Sequence, residues 1–174
     1  MEVCACTLSH SLKSNMIVLS QFCIEKITEV RTVQMNISNE LIILLSIYRP
    51  PCGNFGEFAV QLDLILKYLY IIYKPKLKFI ICGDFNINFL IDSNSAQQLT
   101  LFLQSYSLFH INDFPTRTTK VSSSAIDNIF TDYSRINSLK VFSLINELSD
   151  HEAQYLCVNN IFDRKTVNFR LVTG

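Results

Sequence analysis

A chain of 174 residues is the size of one domain. Its residues are 49% hydrophobic and only 17% charged, which excludes a disordered chain. Its 15 basic and 15 acidic side chains cancel, which excludes a global positive field for capturing polyanions, so any polyanion site must be local or neutralised by a metal.

The six cysteines, at 4, 6, 23, 52, 82 and 157, form no C-x-x-C pair. The close pair Cys4 and Cys6 is not followed by a His-x-x-x-His element, which argues against a zinc finger. Cys82 sits in the apolar run Lys78-Phe79-Ile80-Ile81-Cys82, where a free thiol behaves as a small hydrophobe. Reduced thiols and an intracellular setting, nuclear or cytoplasmic, are expected: no Lys or Arg precedes Lys13, and Met16-Ile17-Val18-Leu19 is too short for a secretory apolar segment. The apolar tracts 41–48 and 58–73 fall short of the ~20 residues of a membrane span, so no membrane is expected as a partner.

Residues 1–20 form an unassigned N-terminal segment. From residue 30, Val33, Met35 and Ile37 alternate with Thr32, Gln34 and Asn36, and Ser38-Asn39-Glu40 turns the chain into the apolar run 41–48. This predicts a hairpin whose second strand is buried on both faces. Pro50-Pro51 ends that strand, because consecutive prolines remove ladder donors. Phe58, Leu62, Ile65, Leu66, Leu69, Ile72 and Tyr73 then follow helical spacing up to Lys74-Pro75. A buried strand at 77–82 opens into Gly83-Asp84-Phe85-Asn86, and Leu99, Phe102, Leu103 and Tyr106 predict a second helix over 96–107. β-rich pieces follow at 126–131, 140–145, 153–159 and 166–172, giving an α/β layered domain.

Polar residues stand where buried strands end: Tyr48, then Asp84 and Asn86, then Asp127, then Ser149-Asp150-His151. Strand ends are where sheets expose active groups. Singly, each reads as a turn or cap residue, or as a satisfied histidine. Two other motifs fail: Phe89 replaces the glycine of a calcium loop begun at Asp84, and adjacent Ser149, Asp150 and His151 point alternately to opposite faces and cannot relay a proton. Lys67, Lys74, Lys76 and Lys78 read either as a DNA-facing patch or as a solvated lysine-rich helix end.

Taken together, the segments Ser46-Ile47-Tyr48-Arg49-Pro50-Pro51, Ile81-Cys82-Gly83-Asp84-Phe85-Asn86, Pro115-Thr116-Arg117, Ile126-Asp127-Asn128-Ile129-Phe130 and Leu148-Ser149-Asp150-His151 resemble the endonuclease/exonuclease/phosphatase superfamily, most closely the endonuclease domain of LINE-type (non-LTR) retrotransposons. The resemblance places a partial domain at 21–160 and a C-terminal strand or tail at 161–174. It implies a four-layered α/β sandwich lacking its first strands, and metal-dependent cleavage of a phosphodiester in DNA. It makes Asp84 the carboxylate that aligns or deprotonates the attacking water, Asn86 an amide donor to a phosphoryl oxygen, and Asp150 a ligand for Mg²⁺ or Mn²⁺. His151 would donate to the phosphate, Asp127 would orient His151, Tyr48 would add a phenolic donor, and Arg117 would contact substrate.

The family's first-strand Asn and following Glu have no recognisable counterpart in the 47 residues before Tyr48. The resemblance therefore implies a chain that begins inside the domain, a weakly held metal, and an inactive or crippled enzyme. The alternatives are a non-catalytic remnant or binding module, and a small-molecule phosphatase of the same superfamily. No reverse transcriptase fits within the chain.

Overall fold

The computed structural model describes residues 4–8, 14–37, 40–73, 77–132, 139–144, 149–158 and 167–173. In chain order the strands and helices are β1 (Cys4–Leu8), β2 (Ser14–Ile17), β3 (Glu29–Ile37), β4 (Glu40–Tyr48), α1 (Phe55–Tyr73), β5 (Leu77–Asp84), α2 (Asn94–Ser105) and β6 (Leu108–His110). There follow β7 (Arg117–Thr118), β8 (Ser123–Ser124), β9 (Asp127–Asp132), β10 (Leu139–Leu144), β11 (Ala153–Val158) and β12 (Val167–Thr173). The expected turn at Ser38-Asn39 and the helix stop at Lys74-Pro75 lie outside the described residues, as does 161–166.

Six strands form one sheet in the order β2-β3-β4-β5-β9-β6, and four form a second in the order β1-β12-β11-β10. Only the β4–β5 pair is parallel among the described pairs, and α1 is the crossover that joins it. β4 explains the layering. Its Ile43, Leu45 and Ile47 point into a core with Phe58, Leu62, Ile65, Leu66 and Leu69 of α1 and with Leu99 and Leu103 of α2. The alternate residues Ile42 and Leu44 point the other way, and meet Ile80, Cys82, Ile129 and, from the second sheet, Leu139 and Leu156. Helices, large sheet and small sheet therefore form three layers among the described residues, with two apolar cores between them.

Local chemistry sets the helix ends. The Asn54 side chain accepts from the Glu57 N–H (3.1 Å) at the start of α1, and the Ser93 hydroxyl accepts from the Ala96 N–H (3.2 Å) at the start of α2. Tyr70 and Tyr106 stack between the helices, and the Tyr70 hydroxyl donates to the Tyr106 carbonyl. The tyrosines of α1 thus serve packing.

The sequence pattern assigns no element before residue 20, where β1 and β2 are found. Four- and five-residue strands are too short to show a period. β2 is an edge strand, with Met16 74% and the following Val18 69% exposed, whereas β4 is flanked on both sides and buried.

Gly83 fixes how closely the parallel pair packs. Its φ is +145°, and a Cβ there would lie 1.8 Å from the Ile47 carbonyl oxygen. No L side chain fits that space. Gly83→Ala is expected to destabilise by about 4 kcal/mol or more, or to abolish soluble expression. Gly56→Ala, in the first turn of α1 where a Cβ comes only within 3.3 Å of the Asn54 side chain, should leave the melting temperature within a few degrees. Parallel thermal melts of the two variants measure the difference.

Candidate active site

The parallel pair brings Tyr48 and Asp84 side by side, since they are register partners at the C-terminal ends of β4 and β5. On the other side of β5, Asp84 is the register partner of Asp127, the first residue of β9. The loop after Asp84 then folds back on it. Asn86 takes φ +48°, a left-handed conformation that asparagine tolerates, so its N–H donates to Asp84 Oδ1 (2.8 Å). Its Nδ2 donates to Asp84 Oδ2 (3.1 Å) and to the Arg49 carbonyl (2.8 Å). Both amide hydrogens of Asn86 are thus engaged within the site.

Arg49 braces the same loop from beneath. Its buried guanidinium donates to the carbonyls of Gly53 (2.7 Å), Phe85 (3.1 Å) and Asn86 (3.4 Å) and lies over the Phe58 ring. Burial lowers its pKa, partly countered by the charge of Asp84.

His151 reaches this end from the segment before β11. Its Nδ1 donates to Asp127 Oδ2 at 2.9 Å. That bond, helped by the charges of Asp127, Asp84 and Asp150 and opposed by burial, raises the imidazole pKa above its ordinary value. Ligand atoms of Asp84, Asp127 and His151 all lie within 4.8 Å of one another, and all three residues are buried. Asp127 Oδ1 is buried without a hydrogen-bond partner.

Thr116 joins the pieces. Its hydroxyl accepts from the N–H groups of Ile126 (3.0 Å) and Asp127 (2.9 Å), while its carbonyl accepts from the Glu152 N–H (2.8 Å). The main chains of Arg117 and His151 form an isolated antiparallel β-bridge, and the Thr118 N–H donates to the Asp150 carbonyl (2.9 Å). The Asp127 carbonyl accepts from Gln154 Nε2 (2.8 Å) and Asn112 Nδ2 (3.2 Å).

Residues 42–155 match the model of a family described as endonuclease-reverse transcriptase. The chain belongs to this family. It is a branch of the endonuclease/exonuclease/phosphatase superfamily that includes non-LTR retrotransposon endonucleases. Among solved structures, the endonuclease domain of TRAS1, a telomere-specific non-LTR retrotransposon, superposes with a TM-score of 0.64 at 18% identity, covering 94% of this chain and 69% of that one. The 3′ phosphatase NExo from Neisseria, bound to a product DNA hairpin, gives 0.55 at 13% identity over 98% of this chain and 79% of its own. An endonuclease/exonuclease/phosphatase family protein from Leptotrichia buccalis gives 0.52 at 16% identity, with 83% of this chain covered but only 52% of that protein. At such identities the likeness is one of fold. No curated protein sequence matches.

Within this endonuclease-type fold, five of the seven expected residues meet at one end of the large sheet: Tyr48, Asp84, Asn86, Asp127 and His151. Asp150 and Arg117 stand beside them but outside the buried group. Arg117 Nε donates to Asp150 Oδ2 at 2.6 Å, both side chains are more than 40% exposed, and the guanidinium lowers the carboxyl pKa. Asp150, the expected metal ligand, thus pairs with Arg117, while the buried carboxylates that gather with His151 are those of Asp84 and Asp127.

Lys78, the one lysine of the group that a strand of the site carries among the described residues, lies away from it. Lys78 is six residues before Asp84 on β5, about 20 Å away at the other end of the sheet. It pairs with Asp132, and Lys67 pairs with Asp63; Lys74 and Lys76 lie outside the described residues.

Sequence reasoning assigned no role to Arg49, Asn112, Thr116 or Gln154. Arg49 and Thr116 stood inside quoted motifs, and their burial was the missing information. Asn112 and Gln154 carried only a weak signal, as polar residues next to Ile111 and Ala153.

Behind Asp127, His110 Nε2 donates to Asn128 Oδ1 (2.7 Å), and Phe89 stacks on its ring. Burial lowers the His110 pKa, outweighing the Asn128 and Asn112 bonds and the charge of Asp113. The unfolded chain therefore takes up this proton first as pH falls, and stability present above the ordinary value near 6.5 is lost below it. His151 works oppositely, its contribution being full at low pH and lost as pH rises through its raised value. Thermal melts between pH 8 and pH 5 should show wild type losing more stability on acidification than His110→Gln, which keeps a donor for Asn128. Equal acid sensitivity would contradict a neutral buried His110.

Proposed function

We propose that the chain carries a phosphodiesterase site of the endonuclease type that acts on DNA with a divalent cation, and that this chain alone turns over slowly. The carrying observation is the 2.9 Å bond between His151 and Asp127 with the Asp84 carboxylate beside it, a buried donor and acceptor set that suits in-line displacement at phosphorus. DNA is the favoured substrate because the TRAS1 domain is an endonuclease and NExo was bound to a DNA hairpin.

In this reading Asp84, clamped by both nitrogens of Asn86, accepts the proton of the attacking water. His151, with Nδ1 committed to Asp127, offers Nε2 to a phosphoryl oxygen, and its raised pKa favours the charged form of that donor. Tyr48 supplies a phenolic donor from beside Asp84, and the exposed Arg117 fork suits a phosphate of the bound strand. Asn86 reaches a phosphoryl oxygen only by giving up Arg49 or Asp84.

The donor set fits a hard divalent cation, because Asp84 and Asp127 each bring a carboxylate oxygen within 4.8 Å of the other and Asp127 Oδ1 is buried without a partner. Asp84 and Asp127 would hold Mg²⁺ or Mn²⁺, which supplies neutralisation of charge on phosphate. Slow turnover rests chiefly on the commitment of both Asn86 hydrogens, and less on Asp150, whose pairing with Arg117 is exposed and readily broken. The same two observations favour the second reading, a DNA-binding module without turnover.

Nicking of supercoiled DNA with enzyme in excess tests the proposal. Nicking in millimolar Mg²⁺ should be slow but measurable, with Mn²⁺ adding little. Asp84→Ala or His151→Ala should reduce it to the buffer level, since single electrostatic contributors are worth ~10²–10³-fold. Nicking that survives both substitutions refutes the site. No nicking in wild type, with DNA binding retained, leaves the binding module.

A further inference from the structure

We infer that Asn112 and Gln154 are positioning residues: their side-chain amides converge on the main-chain carbonyl of Asp127 and so fix the carboxylate that orients His151. This rests on reading Asp127 and His151 as the reacting pair, although its test does not depend on turnover.

The argument begins where a strand runs out. β6 pairs with β9 through Leu108, Phe109 and His110, and the Ile111 N–H still donates to the Ile129 carbonyl (3.1 Å). Past that point the main chain leaves, and the Asn112 side chain takes over its bonds to β9. Its Oδ1 accepts from the Ile129 N–H (2.8 Å), and its Nδ2 donates to the Asp127 carbonyl (3.2 Å) and to Asn128 Oδ1 (3.3 Å). One carboxamide thus supplies the acceptor and the donor that a strand residue would have offered.

Gln154 reaches the same carbonyl from the other sheet. It belongs to β11, and its Nε2 donates to Asp127 O at 2.8 Å. Asn112 and Gln154 are 1% and 3% exposed. A buried amide costs free energy unless it is bonded, so an apolar residue would be the cheaper filling. Placing two of them on one carbonyl is hard to explain by packing.

The location of that carbonyl explains it. The Asp127 carboxylate has a single side-chain partner, Nδ1 of His151, and its other oxygen has none. A carboxylate held at one point takes its position from its backbone. That backbone is fixed at the N–H by the Thr116 hydroxyl and at the carbonyl by the two amides. Because the amides come one from each sheet, they also lock the two layers together at the residue on which the imidazole depends.

Proton NMR of the His151 Nδ1–H reads this directly, since loosening Asp127 speeds that proton's exchange with water. Asn112→Leu and Gln154→Leu are near-isosteric and remove the amides. Each single variant leaves the carbonyl one partner and should speed exchange about tenfold, the equivalent of one hydrogen bond. The double variant should lose the signal, a more than additive effect, while its amide spectrum stays dispersed. Asn112→Asp keeps the acceptor for Ile129 and should restore protection of the Ile129 N–H without restoring the Nδ1 signal. Leu103→Ala, in the helix-side core, controls for general loss of stability. If the double variant does not fold, the two single variants against Leu103→Ala decide. Wild-type exchange in both single variants, or equal acceleration in Leu103→Ala, overturns the inference. Normal Nδ1 exchange in these variants with nicking still lost in His151→Ala would refute the positioning role alone, whereas accelerated exchange with nicking indifferent to His151 would refute the functional reading alone.

Discussion

Gly83 lies so close to the Ile47 carbonyl that the parallel pairing of β4 with β5 has no room for a side chain at that point. The register that follows puts Tyr48 opposite Asp84, and the antiparallel pairing of β5 with β9 puts Asp127 opposite Asp84 on the other side. Three of the candidate site residues are thus placed by ladder geometry before any side-chain interaction is counted. The same register decides which residues of β4 face the helices and which face the second sheet, so the two apolar cores and the polar end of the sheet share one origin. A one-residue slip would exchange the cores and turn the carboxylates away from each other.

Polar groups at that end are buried at a cost, and the structure meets it by pairing nearly all of them. Asp127, Asn128, Asn112, Thr116, Gln154 and Arg49 are each under 10% exposed, and each has partners within the protein. The exceptions are single atoms, notably Asp127 Oδ1 and Arg49 Nε. A carboxylate oxygen left without a partner inside a network that is largely satisfied is the kind of irregularity that function tolerates and packing alone would remove.

Much of the fold was legible because its strongest elements obey simple periods. The run 41–48 and the helical spacing from Phe58 to Tyr73 were visible without a structure, and the observed elements begin within a few residues of the expected ones. β6, β7 and β8 were not visible, being two or three residues long and so too short to carry a pattern. For the site, Asp84, Asp127 and His151 were marked by their places after apolar runs, but Asn112 and Gln154 act through a main-chain carbonyl, which leaves no trace in residue type. The pairing of Asp150 with Arg117 was equally hidden: both residues were singled out, but only the tertiary fold brings together two residues 33 positions apart.

These two ion pairs differ in how readily they yield. Arg117 and Asp150 are solvent-exposed, and exposed pairs typically contribute only ~0.2–1 kcal/mol, so their pairing is broken at little cost. Asp127 and His151 are buried, and the backbone of Asp127 is tied on both its N–H and its carbonyl, so breaking their bond would disturb two sheets. The site therefore combines a rigid floor with an exchangeable rim. Under the proposed function, a bound phosphate would remodel the rim without moving the floor, and His151 would stay aimed while the groups around it change partners.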